Sequence, residues 1–364
     1  MSQSARLRLS TPAAAVAERP KKVLVVDDSK TIRELLTKIL SSDPELQVVA
    51  CAELPSQVED LIRRHQPDVI TLDIHMPEMD GVTLLRQYLP KYPVPTVMIT
   101  SISMEESTQV LTALESGAVD YIQKPSFQEL ARVAPLIIEK VKTAAQVRLK
   151  TRAQLLSSKS STVRHASQMY QDGMIVAIGS STGGTEALKV VLTQLPEKIP
   201  PILVVQHIPA VFSKAFADRL NQLCPFEVKE AQDGDEVLPN QVLIAPGGLQ
   251  MSLIRSGPGL RVKIEDSAPV NRHKPSVDVL FDSVAELVGK RAVGVILTGM
   301  GADGSKGLLK MRNAGARTIA QDQESCVVFG MPAEAIKLGA ACEVHSLNVI
   351  SGAMLKFLRR QSAA

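Results

Sequence analysis

From Lys22 onward, short runs of β-branched apolar residues alternate with amphipathic stretches, and most runs end abruptly in an acid, a hydroxyl, an imidazole or a glycine turn. That pattern admits few folds. Strands joined by helical crossovers pair in parallel, and a parallel sheet must be covered on both faces. All strand C-termini then share one edge, where open α/β sheets bind their ligands. In the first half, strands are predicted at Val23–Val26, Gln47–Ala50, Val69–Leu72, Val97–Thr100 and Tyr121–Ile122. Helices are predicted at Thr31–Leu40, Gln57–His65, Val82–Leu89 and Ser107–Ser116, with a last one from near Phe127 towards Lys142.

A second αβ pattern starts at Met174 with MIVAIG and continues through ILVVQ, VLIAP and VGVILTG. Within it, Met251–Glu265 alternates around SGPG and reads as an inserted β-hairpin. Between the halves, Lys140 to Arg164 carries seven Lys/Arg and no Asp or Glu, and ends in LLSSKSSTVRHAS. A basic run can bind nucleic acid or membrane, but this one lacks aromatics and reads as a solvated linker. The chain is thus expected to be an α/β protein of two doubly wound parallel-sheet domains. The expected units are a disordered tail over 1–20, a first domain over 21–140, a linker over 141–171 and a second domain over 172–360.

Composition narrows the function classes. A length of 364 residues, 45% hydrophobic and 22% charged, suits a soluble protein with two cores. No stretch reaches the about 20 apolar residues of a membrane span, and the short Ala13–Ala17 run is too weak for a secretory signal. A cytoplasmic location is expected. The four cysteines are scattered without metal-type spacing. The absence of Trp and an aromatic share of 3% argue against base stacking. The strand-rich second half has no terminal helix-turn-helix pattern, which argues against a DNA-binding output.

The polar strand ends carry the chemistry. Strand one ends in Asp27-Asp28, strand three in Asp73, strand four in Thr100, and strand five in Lys124-Pro125. Three carboxylates on one sheet edge make a hard-oxygen pocket suited to Mg²⁺. A carboxylate beside a cation, a hydroxyl and an ammonium is what phosphoryl transfer requires. Helix capping would explain Asp27 or Asp28 alone, but not five matched strand ends. Through VLVVDDS, TLDIHMPEMDG, VMITS and YIQKP, residues 21–140 closely resemble the response-regulator receiver family. The resemblance implies phosphorylation of Asp73, supported by Thr100 and Lys124. It also implies Mg²⁺ held by Asp28, with Asp27 assisting, by Asp73, and by the main-chain carbonyl of His75. His75 departs slightly from the family, where acidic or other polar residues are common.

In the second half, Ile175–Ile178 runs into Gly179-Ser180-Ser181-Thr182-Gly183-Gly184 and then an Ala/Leu-rich helix. A hydroxyl at a helix N-terminus is placed for nucleophilic attack beside free N–H groups. The same turn could hold a phosphate, although it lacks the Gly-Lys-Ser/Thr of a P-loop. ILVVQ then ends in His207, a candidate general base. VGVILTGMGADGSKG places Asp303 in a glycine-dense loop as the candidate orienting acid. Asp266, Asp278 and Asp282 are rivals, although VDVLFDSVA reads as an amphipathic helix whose acids face water. His273 and His345 end no long apolar strand.

GSSTGGTEAL, QHIP, IAPGG, KPSVDVLFDSVA, LTGMGADGSKGL and GMPAEA, together with the preceding receiver, resemble the chemotaxis protein-glutamate methylesterase family over residues 21–350. The resemblance implies a flavodoxin-like receiver, then a Rossmann-like methylesterase domain with a β-hairpin insertion. It implies Ser181 as nucleophile, His207 as base, Asp303 as orienting acid, and the N–H groups of Met300 and Thr182 as oxyanion hole. The family usually has Ala at position 180, so Ser180 competes with Ser181, and motif register favours Ser181. The implied substrates are methyl-accepting chemoreceptors, demethylated at glutamyl methyl esters and deamidated at certain glutamines, with a histidine kinase as phosphodonor. No cofactor is expected for the hydrolysis, and a monomer is expected, with neither nucleic acid nor membrane insertion. Control is expected to be steric, through a polar contact on the receiver face near Thr100 to Glu106.

Overall fold

The computed structural model describes residues 19–100, 107–124, 130–149 and 170–359. The expected tail up to residue 18, most of the linker and the receiver face over 101–106 lie outside them. The first half contains β1 (Lys21–Val26), α1 (Lys30–Leu40), β2 (Leu46–Ala52), α2 (Val58–His65), β3 (Val69–Asp73), α3 (Gly81–Tyr88), β4 (Thr96–Thr100), α4 (Ser107–Glu115), β5 (Asp120–Gln123) and α5 (Leu130–Ala144). Each predicted strand is present, a residue or two longer at one or both ends. The helix α5 runs past Lys140 into the stretch read as linker. The five strands are all parallel in the order β2-β1-β3-β4-β5.

The second half contains β6 (Ile175–Ser180), α6 (Gly184–Thr193), β7 (Ile202–Gln206), α7 (Ala210–Leu223), β8 (Glu227–Glu230), β9 (Gln241–Ile244), β10 (Gln250–Ser256), β11 (Gly259–Glu265), α8 (Val277–Leu287), β12 (Ala292–Ile296), α9 (Ser305–Asn313), β13 (Arg317–Gln321), α10 (Met331–Lys337), β14 (Glu343–His345) and α11 (Leu347–Leu358). Seven strands form a parallel sheet ordered β14-β13-β12-β6-β7-β9-β8. The predicted hairpin is β10 and β11, which stand apart as a two-stranded antiparallel sheet.

The strands β6, β7 and β12 are buried at every position. Continuous burial rather than alternation is what a sheet covered on both faces demands. One apolar cluster covers a face of the second sheet through Val176, Val204 and Leu355, and continues through Phe212 and Tyr121 into the receiver at Leu24 and Leu72. The rings of Tyr121 and Phe212 meet edge to face at 4.9 Å between centroids. The two sheets therefore share core across their junction.

Chain direction fixes where ligands fit. From β1 the chain turns one way to β2 and the other way to β3. From β6 it moves to β7 on one side, and β12 later returns on the other. Diverging connections leave a crevice at the carboxyl ends of these strand pairs. Asp27 and Asp73 border the first crevice, and Ser181 and Thr298 border the second.

Candidate active site

At the first crevice, Asp27, Asp28 and Asp73 bring carboxylate oxygens within 4.8 Å of one another. Asp27 and Asp73 are buried and Asp28 is exposed, so the cluster opens to solvent on one side. The Lys124 ammonium lies 2.9 Å from Asp27 and 2.8 Å from Asp73. Burial raises the Asp73 carboxyl above its usual range, although Lys124 pulls against it. Burial disfavours the Lys124 ammonium, but the two carboxylates outweigh it and raise its pKa. Thr100 is fully buried at the end of β4, while His75 is exposed two residues past Asp73. The predicted receiver residues thus converge on one edge, and three oxygens from two strand ends suit a hard divalent cation.

At the second crevice, β6 pairs with β7 so that Ser180 lies opposite Gln206, which sets Ser181 and His207 side by side beyond the pair. The two serines differ sharply. Ser180 is fully buried and its hydroxyl donates to Gln206 Oε1 at 2.6 Å. Ser181 is half-buried at the start of the turn that opens α6. Gly184 closes that turn, its N–H donating to the Ser181 carbonyl at 2.7 Å. A Cβ on Gly184 would stand 2.1 Å from Gln206 Oε1 and 2.7 Å from Ser180 Cβ, so a side chain here would push into the Ser180–Gln206 pair. Gly299 likewise meets the turn directly, since a Cβ there would stand 2.7 Å from Ser181 Cβ. The Ser181 N–H donates to Thr298 O at 3.0 Å, which ties the turn to the end of β12. Among the described residues, the main-chain N–H groups of Thr182 and Met300 donate to no protein acceptor.

His207 Nε2 lies 2.8 Å from Asp303 Oδ2. His207 Nδ1 is buried with no hydrogen-bond partner. With Asp303 holding an Nε2–H, the free Nδ1 is the lone-pair nitrogen of the neutral ring. Asp303 itself is fixed by donors from Val277 N to Oδ2, and from Ser276 Oγ and Asn271 Nδ2 to Oδ1, each at 2.7 Å. Burial opposes its charge, yet these donors and His207 hold its carboxyl well below the ordinary range. A nucleophilic hydroxyl, a nitrogen base, a buried carboxylate and two unpartnered main-chain N–H groups can together carry out acyl transfer.

Two family descriptions match the chain: a response regulator receiver domain over residues 23–134 and CheB methylesterase over residues 176–354. A protein-glutamate methylesterase/protein-glutamine glutaminase of Escherichia coli O157:H7 is 48% identical over 337 residues, which is 92% of this chain and 96% of that protein. The chain belongs to the protein-glutamate methylesterase family. A relative from Chromohalobacter salexigens is 47% identical over 338 residues, 92% of this chain and 95% of its own. The crystal structure of the Thermotoga maritima CheB methylesterase catalytic domain aligns at a TM-score of 0.50 and 42% identity. It covers 51% of this chain and 99% of its own.

Two residues weighed from the sequence, Asp278 and His273, sit elsewhere than expected, and a third, Asp120, was not singled out. Asp278 was expected to face water on an amphipathic helix, but it is only 7% exposed. Gly307 N donates to it at 2.6 Å and Asn271 Nδ2 at 2.7 Å, which replaces the lost hydration. Asp282, one turn on, does remain partly exposed and pairs with Lys310. His273 stacks on His207 with centroids 3.7 Å apart and planes 9° from parallel. Asp120, in the receiver, accepts from the Thr182 hydroxyl at 2.6 Å. No sequence signal marked it, because it opens a short strand and its partner lies 62 residues away. No described helix is long and apolar enough to cross a membrane.

Proposed function

We propose that the chain is a protein-glutamate methylesterase and protein-glutamine glutaminase whose receiver gates the catalytic crevice. Ser181 Oγ attacks the side-chain carbonyl carbon of a methylated glutamate or a glutamine, and its proton passes to His207 Nδ1. Asp303 holds the Nε2–H and stabilises the imidazolium as it forms. The N–H groups of Thr182 and Met300 receive the oxyanion. His207 returns the proton to the departing methanol or ammonia, and a water then repeats the sequence on the acyl-enzyme. The observation that supports this reading is an Asp303-bound His207 with an unpartnered Nδ1, one residue beyond the Ser180–Gln206 register pair just as Ser181 is.

The substrate class is the glutamyl methyl ester and glutamine side chains on the cytoplasmic helices of methyl-accepting chemoreceptors, and the working location is the cytoplasm. In the receiver, Asp73 takes the phosphoryl group from a chemosensory histidine kinase, with Thr100 and Lys124 holding its oxygens. Asp27, Asp28, Asp73 and the carbonyl of His75 would hold Mg²⁺, which neutralises phosphoryl charge when bound. The gate is supported by contacts on both oxyanion residues. Asp120 takes the Thr182 hydroxyl, and Thr143 of α5 donates to Met300 Sδ at 2.8 Å. Glu115, ending α4, is held by Lys189 and Arg219, each at 3.2 Å. The decisive experiment is methanol release from methyl-labelled receptors, with and without a small-molecule phosphodonor. Activity that needs no Ser181, or none at all after phosphorylation, overturns the reading.

A further inference from the structure

The loop between β11 and α8 does more than cap Asp303. Val270 and His273 exchange main-chain hydrogen bonds at 3.1 and 2.8 Å, with Asn271 and Arg272 between them at φ of 52° and 69°. Two left-handed residues inside such a pair make a tight type I′ turn, for which Asn is suited and Arg is not. The turn is pinned from outside. Asn271 Nδ2 bridges Asp278 and Asp303, and Gln250 Nε2 donates to the His273 carbonyl at 3.1 Å while its Oε1 accepts from Ser276 N. A left-handed Arg costs backbone energy, and the bonds from Asn271 and Gln250 hold the turn in that conformation.

The turn ends on His273, whose ring lies flat on His207. Asp303 fixes one nitrogen of His207, but a single hydrogen bond leaves the ring free to swing about that bond. A flat surface 3.7 Å away removes this freedom. We infer that His273 is a positioning residue: its stacked ring fixes the plane of His207, so that Nε2 stays on Asp303 and Nδ1 stays toward Ser181. Burial first, and then the neighbouring His207, push the His273 pKa down to about 4, with Arg272 and Lys140 acting in the same sense and Asp303 against. A neutral ring can lie against a forming imidazolium, whereas a second cation there would oppose it. The inference rests on the acyl-transfer reading for its kinetic consequence, but not for its structural one.

Both consequences are measurable on the full-length protein treated with phosphodonor and Mg²⁺. His273→Ala is expected to lower kcat for methanol release by roughly 10- to 100-fold with KM within about twofold, the range that misplacement of a catalytic group produces. His273→Phe, which keeps a flat neutral ring, is expected to restore kcat to within several-fold of wild type. Nitrogen-15 spectra of the His207 ring supply a readout independent of turnover. The wild type and His273→Phe should show a single Nε2–H tautomer, and His273→Ala a mixture. Equal kcat loss in Ala and Phe variants, a loss confined to KM, or an unchanged tautomer in a folded His273→Ala protein overturns the inference. If His273→Ala does not fold, His273→Leu replaces it, keeping bulk without a plane. A wild type that releases no methanol, yet loses the single tautomer on His273→Ala, overturns the acyl-transfer reading and leaves the positioning role standing.

Discussion

The hydroxyl of Thr182 donates to the carboxylate of Asp120 at 2.6 Å, although the two residues belong to different sheets. Asp120 is almost fully buried, and its other oxygen is held by Lys140 at 2.8 Å and by Tyr121 N at 2.7 Å. A buried carboxylate with all its donors in place is a well-defined contact, and losing one donor to a charged acceptor typically costs about 1.5–3 kcal/mol. Asp120 opens β5 while Lys124 follows its end, so the contact with Thr182 and the Asp27–Asp73 cluster are linked by one short strand of ~13 Å.

Asp120→Ala should therefore raise the activity of the unphosphorylated protein. With ~1.4 kcal/mol for each tenfold, a contact of that strength corresponds to at least about a tenfold rise. Basal methanol release before and after phosphodonor measures it. A variant that folds but keeps the wild-type basal rate would mean that Asp120 does not hold the closed form.

The two adjacent hydroxyls make a sharper test. Ser181→Ala should abolish methanol release. Ser180→Ala removes the hydrogen bond to Gln206 and should cost about 1 kcal/mol of stability while leaving most of the activity. Equal losses of activity in the two folded variants would reassign the nucleophile.

How much of this was readable in the chain depends on whether a function is carried by strand ends or by contacts. Strand ends were readable. Asp27, Asp73, Lys124, Ser181 and His207 each follow an apolar run, and parallel pairing puts all such ends on one edge. Motif register favours Ser181 over Ser180, and in the structure the Ser180 hydroxyl is buried and bonded to Gln206. Asp278 could not be read because its helix pattern says water, while the donors that let it be buried, Asn271 and Gly307, come from two other segments. The same holds for His273, whose value lies entirely in the ring it stacks on. The proposed gate is a further case: its described contacts come from Glu115, Asp120 and Thr143, while the face expected over 101–106 lies outside the described residues.

Stability should carry the signature of His273. A histidine whose folded pKa lies below its ordinary value near 6.5 binds protons more readily when unfolded. Its contribution is then fully present above about pH 6.5 and is lost as the pH falls towards about 4. Melting temperatures of wild type and His273→Phe should therefore converge or diverge in one direction only: relative to the variant, wild type should lose Tm between neutral pH and pH ~4. A constant Tm difference across that window would show that His273 titrates normally in the folded protein.

Phosphorylation should require Asp73 and respond to its neighbours. Treatment with a small-molecule phosphodonor and Mg²⁺ should add one phosphate to the wild type and none to Asp73→Asn. Lys124→Ala removes the ammonium that bridges Asp27 and Asp73, so it should uncouple phosphate uptake from activation or slow the uptake itself. Undiminished labelling of Asp73→Asn, read by intact mass, would place the phosphate elsewhere.

Removing the receiver tests the gate as a whole. Tyr170 and Gln171 are tied to the far end of the chain, through a bridge to Arg359 and a hydrogen bond to Leu358 O at 3.1 Å. A fragment beginning just before Tyr170 keeps these ties and the whole seven-stranded sheet. It loses Asp120 and Thr143 from above Thr182 and Met300, and Tyr121 from beside Phe212. If the receiver only covers the crevice, this fragment should match or exceed the phosphorylated full-length protein and ignore phosphodonor. Its exposed apolar face around Phe212 should also lower its solubility, which Phe212→Ser would relieve at some cost in stability. A folded fragment slower than the unphosphorylated full-length chain would show instead that the receiver contributes to catalysis, for example by bringing the enzyme to its substrate. Full activation of the fragment together with a raised basal rate in Asp120→Ala would locate the closed form's strength in that single buried carboxylate and its surroundings.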